Sequence, residues 1–298
     1  MAELWTIRRV LTWTTGYFQR RGLEQPRLEA EVLLAGALAT ERVRLYIDFD
    51  RPLEPEELTR YRELVRRRAA GEPTAYLIGE KEFMALSLVV TPEVLIPRPE
   101  TEQLVEVALD FIRRRRTGGR PCRLLADIGT GSGAIAVAVA CACPELRVLA
   151  VDISPGALAV AARNRARHQL QERIELVRGD LLQPLLDAGE VLEPDLVTAN
   201  LPYIPSREIP ALATEVRQEP VVALDGGGDG LDLYRRLIPQ AKRILAGGGG
   251  LLLEIGWNQG AAVRRLFSER DWQAVEVLPD FNGHDRVVRA LRREEAEA

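Results

Sequence analysis

The stretch Asp127-Ile128-Gly129-Thr130-Gly131-Ser132-Gly133-Ala134 constrains this chain more than any other. It sets a glycine at every second position between a strand-like segment, residues 123–128, and an apolar run, residues 134–143. A loop of that kind turns a strand sharply into a helix and lets a ligand come close to the backbone. The alternation continues downstream. Residues 147–152, 174–178, 195–199 and 250–255 read as strands, and residues 156–168, 231–245 and 258–269 as helices. Strands that alternate with helices build an open, mainly parallel α/β sheet. Residues 273–278 and 286–291 break the rhythm, because two strands follow each other with only a loop between them. They are most simply an antiparallel pair. The expectation is a mostly parallel, seven-stranded sheet with an antiparallel C-terminal hairpin.

The residues before the sheet are of another kind. Residues 1–75 read as a small helical bundle. Leu4, Ile7, Leu11 and Phe18 fall near helical spacing, and Gly22 ends that helix. Pro26 opens a second, with Leu28, Val32 and Ala35 on one stripe. A short helix covers 42–47, and another runs from 56 to 70. Residues 76–98 are β-prone around 83–90, with a turn at Thr91-Pro92, and form a hairpin or extended connector. A helix at 100–116 buries Leu104, Ala108 and Phe111. Residues 99–298 then form the sheet domain.

Composition narrows the classes. Hydrophobic residues make up 46 %, enough for a sizeable core. The formal charge is −4, which argues against binding nucleic acid by gross charge but leaves room for a local basic face. Three cysteines rule out a disulfide scaffold, and with two histidines they do not make a structural zinc site. Cys141 and Cys143 are expected to be small buried apolar residues. No metal is expected. The opening residues lead into a charged amphipathic stretch without an apolar h-region, and the longest uncharged run is short for a membrane span. The expectation is a cytoplasmic protein with no signal peptide and no membrane partner.

The glycine loop alone fits a dinucleotide as well as a methyl donor. Asp152, at the end of the next strand, fits both too, since its carboxylate can accept both hydroxyls of a ribose. Later strand ends separate the two. Gly179-Asp180 ends the third strand, and Asn200-Leu201-Pro202-Tyr203 ends the fourth, where open α/β sheets do their chemistry. An NH2 group on a carbonyl or an aromatic ring is a poor nucleophile, because its lone pair is delocalised. Two acceptors, one per N–H, can hold it so that the lone pair points at a methyl donor. The Asn200 side-chain oxygen can be one and the Leu201 carbonyl the other. Pro202 stiffens the turn, and the Tyr203 ring can pack on a planar target. Catalysis would then be positioning and electrostatics rather than strong base.

These features lie within a wider resemblance. The chain resembles the HemK/PrmC protein-(glutamine-N5) methyltransferases, whose fold is a Rossmann-like class I methyltransferase domain behind a small N-terminal helical domain. The resemblance runs through Tyr76-Leu77-Ile78-Gly79-Glu80, Leu95-Ile96-Pro97-Arg98-Pro99-Glu100-Thr101-Glu102, the glycine loop and Val151-Asp152-Ile153-Ser154. It continues in Asn200–Ile204, Glu219-Pro220, Asp229-Gly230-Leu231-Asp232 and Leu253-Glu254-Ile255-Gly256-Trp257. It implies S-adenosyl-L-methionine as donor and the glutamine of a release factor's Gly-Gly-Gln loop as target. It also implies that the helical domain helps hold the release factor. Gly129, Thr130, Gly131, Ser132 and Gly133 would cradle the donor's methionine end, Asp152 its ribose, and Asp180 with Leu181 its adenine. Asn200, Leu201, Pro202 and Tyr203 would hold the substrate amide, with Asn200 also close to the donor. Thr101 and Glu102 would either close over the donor or make connector contacts. The glycines at 226–230 lack the ligand spacing of a calcium loop and read as a flexible turn.

One residue departs from the family, which usually has Pro where this chain has Leu201. Leucine keeps the backbone carbonyl and gives up ring rigidity. Asn-Leu-Pro-Tyr also resembles the motif of ribosomal-RNA adenine N6-dimethyltransferases, so an adenine target is the alternative. A non-catalytic adaptor of the translation machinery is another. The order of the domains and the 95–102 and 219–232 segments favour glutamine, a protein substrate without direct nucleic-acid binding, and a monomer.

Overall fold

The computed structural model describes residues 4–188 and 192–294. The chain divides into two units, Met1–Glu80 with Ala213–Gln218, and Lys81–Leu212 with Glu219–Ala298.

In the first unit the Thr6 side chain accepts from the Arg9 N–H and starts the helix Ile7–Arg20. Helices Pro26–Ala37, Arg42–Ile47, Pro55–Ala69 and Thr74–Ile78 follow. Their core is Ile7, Leu11, Phe18, Leu33, Leu34, Leu45 and Tyr61. Of the expected stripe Leu28, Val32 and Ala35, only Ala35 is buried. Ala30, Leu33, Leu34 and Ala37 face inward instead, and Leu28 and Val32 are half-buried. The reason lies at Glu31, a buried carboxylate. Arg27, Arg42 and Tyr46 all donate to it, so a charge can occupy a position that the apolar pattern alone does not reveal. Leu4 also stays out of the core and is exposed. Arg68, buried at the end of its helix, pairs with Glu29 at 3.0 Å and with Glu215 of the segment Ala213–Gln218.

Glu80–Phe83 (β1), in the second unit from its second residue on, and Leu86–Val89 (β2) form a two-stranded hairpin. Its turn is Met84-Ala85, both at positive φ, inside the stretch read as β-prone, and the expected turn at Thr91-Pro92 follows the hairpin, with the Val94 N–H donating to the Thr91 carbonyl at 3.1 Å. Glu102 holds that turn by accepting from the Met84 N–H at 2.7 Å. Of its two expected roles, Glu102 therefore makes the connector contact.

The main sheet contains Leu124–Ile128 (β3), Arg147–Asp152 (β4), Ile174–Arg178 (β5), Leu196–Ala199 (β6), Gly250–Glu254 (β7), Trp272–Pro279 (β8) and Asp285–Arg292 (β9). Their order is β5-β4-β3-β6-β7-β9-β8. The first five are parallel, and β9 runs antiparallel to both β7 and β8. Side chains alternate between two buried faces. Ala126, Ile128, Val197 and Leu251 pack with Leu237 and Ile238 on one face, and Leu125, Leu196 and Leu252 pack with Leu104 and Ala108 on the other. Burial on both faces is why these strands read as continuous apolar runs. The chain reverses its direction of travel across the sheet between β3 and β6. That switch point opens a crevice at the carboxyl ends of the strands.

Some expected elements are changed. The helix expected over 258–269 is a single turn, Gly260–Arg264. Helix Gln183–Asp187 and the 3-10 turns between 206 and 223 carry no clear periodicity and are too short to announce themselves. Cys141 is exposed and Cys143 half-buried, which corrects the reading of both as buried; Cys122 is the buried thiol. No described helix is long and apolar enough to cross a membrane, and no cluster of potential metal ligands occurs among the described residues.

Candidate active site

The glycine loop leaves β3 with Gly129, Gly131 and Gly133 all at positive φ. At Gly129 a side chain would be strained by the φ of +70° and crowded, its Cβ 3.0 Å from Leu201 Cδ2. The loop is held from beneath by Asp127. This fully buried carboxylate accepts from Thr130 Oγ1 at 2.6 Å and from Thr198 Oγ1 at 2.9 Å. Asn164 ties the loop to the hairpin, donating to the Ser132 carbonyl at 2.8 Å and exchanging hydrogen bonds with the Val89 backbone.

Asp152 ends β4 beside the loop. One of its oxygens accepts from the Gly131 N–H at 2.8 Å and the other from the Ser154 N–H at 2.9 Å. Burial raises its pKa above the ordinary range although the backbone N–H groups of Ser154, Gly131 and Ile153 all favour the charged form. A carboxylate has about four acceptor positions, so Asp152 keeps capacity for a ligand hydroxyl. A cavity of about 670 Å³ opens here, bordered by the glycine loop, Asp152, Asp180, Leu181, Asn200 and Pro202. That size suits a nucleoside-bearing ligand, because sites for small molecules run to roughly 300–1,000 Å³. At its far end Asp180 pairs with Arg236, and Leu181 is buried at φ +53°.

Asn200 follows β6, and its Nδ2 lies 3.1 Å from Thr101 Oγ1. Leu201 is buried with its side chain against Gly129. Pro202 borders the cavity. Tyr203 packs against the core cluster beneath, and burial pushes its phenol up to about 12. Two elements buttress this turn. Gln259 Nε2 donates to the Tyr203 carbonyl at 2.9 Å while its Oε1 accepts from the Gly256 N–H. The glycine run at 226–230 packs against the same turn, with a Cβ on Gly230 placed 2.2 Å from the Tyr203 carbonyl oxygen. A Cβ on Gly226 would sit 2.7 Å from the Pro202 carbonyl oxygen, so the expected flexible turn is instead a packed support.

Four contributors were not picked out from the sequence as site residues: Asp127, Asn164, Glu219 and Glu254. Glu219 accepts from the Ile96 N–H at 3.0 Å and pairs with Arg98, fixing the Pro97-Arg98 edge of the cavity. Glu254 ends β7 and is buried, with its Oε2 lacking a hydrogen-bond partner among the described residues. Burial pushes Glu254 up to about 7 and Asp127 to about 6.

Those two shifts have a sign. Both pKa values are raised above their unfolded values of 4.5 and 3.8, so the folded state holds extra protons in between. Stability from these groups is full below the unfolded values and is lost as pH rises through about 6 to about 7. The thermal midpoint is expected to fall from about pH 5 to about pH 8, and Glu254→Gln to shrink that fall. Calorimetry of both proteins at the two pH values checks it.

A parallel sheet with an antiparallel terminal hairpin, a glycine-rich first crossover and an acidic second strand end define a Rossmann-like, class I methyltransferase. The model of a methyltransferase domain matches residues 125–219. The catalytic domain of hMettl16, solved with the MAT2A 3′UTR hairpin 6, shares this fold at a TM-score of 0.56 and 17 % identity, over 78 % of this chain and 82 % of that one. The model of the PrmC N-terminal domain matches residues 9–79. The release factor glutamine methyltransferase of Geobacter sulfurreducens is 48 % identical over 96 % of each chain. That of Moorella thermoacetica is 46 % identical over 97 % of this chain and all of its own length. The chain belongs to the release factor glutamine methyltransferase family.

Proposed function

We propose that this protein transfers a methyl group from S-adenosyl-L-methionine to the N5 amide nitrogen of the glutamine in a release factor's Gly-Gly-Gln loop. The observation that carries the reading is the Asn200 amide at the rim of the cavity, with its Nδ2 engaged by Thr101. Its Oδ1 is then left to accept from a substrate N–H.

The glycine loop, Asp152, Asp180 and Leu181 would hold the donor, and the cavity volume and the spare lone pairs of Asp152 fit its ribose. Bound there, the donor's sulfonium supplies an electrophilic methyl group. Asn200 Oδ1 and the Leu201 carbonyl accept the two N–H bonds of the glutamine amide and aim its lone pair at the donor. Pro202 and the supports at Gln259 and Gly226 hold that turn still, so little reorganisation is left for the reacting complex. Tyr203 lends its backbone carbonyl to the support and its ring to the packing beneath. Residues 1–75 would serve as the recognition domain for the release factor, working as a monomer in the cytoplasm and without contact to nucleic acid.

Two tests separate the parts. Asp152→Ala is expected to weaken donor binding by on the order of a hundredfold, through a lost hydroxyl contact and a freed Gly131 N–H. Isothermal calorimetry with S-adenosyl-L-methionine measures it, and unchanged affinity would remove Asp152 from the donor site. For the substrate, the methyl-labelled donor is incubated with release factor or with ribosomal RNA. Label on the factor alone supports the glutamine reading, and label on the RNA alone would replace it with the adenine one.

A further inference from the structure

Helix Asp232–Ile244 grips the far end of the cavity through a pair of side chains. Arg236 Nη2 donates to Asp180 Oδ2, and Gln240 Oε1 accepts from the Leu182 N–H at 3.0 Å. The pair stands one helical turn apart and so shares a face of the helix. That face meets the turn after β5, which other contacts also hold. The Gln183 N–H donates to the Asp180 carbonyl at 3.1 Å and the Gly179 N–H to the Asp152 carbonyl at 3.0 Å. Pro184 packs on Gly179 so closely that a Cβ there would sit 1.9 Å from its ring. Leu181 stands at φ +53°, a region that leucine occupies only where its surroundings fix it. The backbone of this turn is therefore set without Arg236.

What Arg236 adds is the direction of the Asp180 side chain. A half-exposed carboxylate left alone samples its rotamers and turns to water. Here the guanidinium holds Oδ2, and Oδ1 has no hydrogen bond among the described residues. Arg235, the next residue, does not share this task, since it donates to Asp229 at 2.7 Å and to Asp232 at 2.9 Å. We propose that Arg236 is a positioning residue for the donor's base: by holding Asp180 Oδ2 it presents Oδ1 to a purine's exocyclic amine, and so makes the site prefer an amino purine to a keto purine. This rests on the donor-site reading above.

The chemistry of the two bases makes the choice. Adenine carries N–H donors on its exocyclic amine, whereas a keto purine has an oxygen at the same place. A carboxylate accepts from the first and repels the second, because two acceptors have no proton to share. Asp180 and Arg236 both border the cavity, so the pair is within reach of a ligand there. Their side chains are 45 % and 49 % exposed, and an ion pair that open to water contributes little to the stability of the fold. Orientation is what remains for it to supply. Arginine suits that task, since its planar fork fixes a carboxylate in direction as well as in charge, while a lysine keeps only the charge.

The test is isothermal calorimetry with S-adenosyl-L-homocysteine and with its S-inosyl counterpart, in which a keto oxygen replaces the amine. The proteins are wild type, Arg236→Ala, Arg236→Lys, Asp180→Asn and Asp152→Ala. Wild type is expected to prefer the adenosyl compound by roughly a hundredfold, the worth of a hydrogen bond to a charged group set against a repulsion. Arg236→Ala should cut that preference to about tenfold or less, mainly by weakening the adenosyl compound. Arg236→Lys should keep part of it. Asp180→Asn should abolish it, because an amide can turn either end to the base. Asp152→Ala, a change at the ribose, should weaken both compounds alike and leave the preference standing, which is how a general loosening of the site would read. A wild-type preference in Arg236→Ala, or equal losses for the two compounds in that variant, would overturn the proposal. A wild type that binds both compounds equally would remove the base from Asp180 and the proposal with it. A wild type that binds neither would overturn the donor site itself, a different result from a donor site indifferent to Arg236.

Discussion

Replacing Asn200 with alanine is expected to lower kcat for release-factor methylation by on the order of a thousandfold while leaving donor affinity within a few-fold, because it deletes a preorganised acceptor at the reacting nitrogen. An amide nitrogen gives up its conjugation only in the transition state. The acceptor that holds its N–H bonds out of the amide plane is therefore worth most at that moment. The donor's own contacts lie elsewhere, along the glycine loop and Asp152. Thr101 stays in place and loses one hydrogen-bond partner at the rim of the cavity. Single-turnover rates and calorimetry measure the two effects separately. Loss of donor binding in parallel with rate would move Asn200 from the substrate to the donor.

Replacing Glu219 with alanine is expected to destabilise the fold by about 3 kcal/mol, because breaking a buried ion pair from one side strands its partners. The Glu219 side chain is 2 % exposed and satisfies two groups at once, the Ile96 N–H and the Arg98 guanidinium. Alanine leaves a buried N–H without an acceptor. Arg98, a third exposed, recovers some of its loss in water. Glu219→Gln keeps an oxygen for Ile96 and should cost roughly half as much. Urea unfolding monitored by circular dichroism gives the three stabilities. A loss below about 1 kcal/mol for alanine would show that the Pro97-Arg98 edge is held by packing alone.

Much of this architecture is legible in the chain because the main sheet is buried on both faces. Strands such as Leu124–Ile128 and Gly250–Glu254 are then uniform apolar runs, and the helices between them show as runs of another length. The antiparallel end was visible for a plainer reason: no helix fits between β8 and β9. Asp152 and Asn200 were legible because strand ends in such sheets are where ligands bind.

What was not legible depends on distant partners. Thr101 and Asn200 stand 99 positions apart, and nothing local marks Glu254 as more than the last residue of a buried strand. Glu31 misled the helical stripe, since a carboxylate scores as surface until three donors are found around it. Asn164 looked like a polar residue on a helix and is a fully buried tie between the hairpin and the glycine loop. The run at 226–230 looked flexible because glycine is ambiguous in sequence. It permits motion in one setting and close packing in another, and here the backbone of Pro202 fills the space.

The most direct measurement is tandem mass spectrometry of a release factor treated with this protein and S-adenosyl-L-methionine, alongside the Asn200→Ala variant. The account predicts a single added methyl on the side-chain nitrogen of the Gly-Gly-Gln glutamine, present with wild type and nearly absent with the variant. A methyl on any other residue, or on that glutamine to the same extent with both proteins, would contradict it.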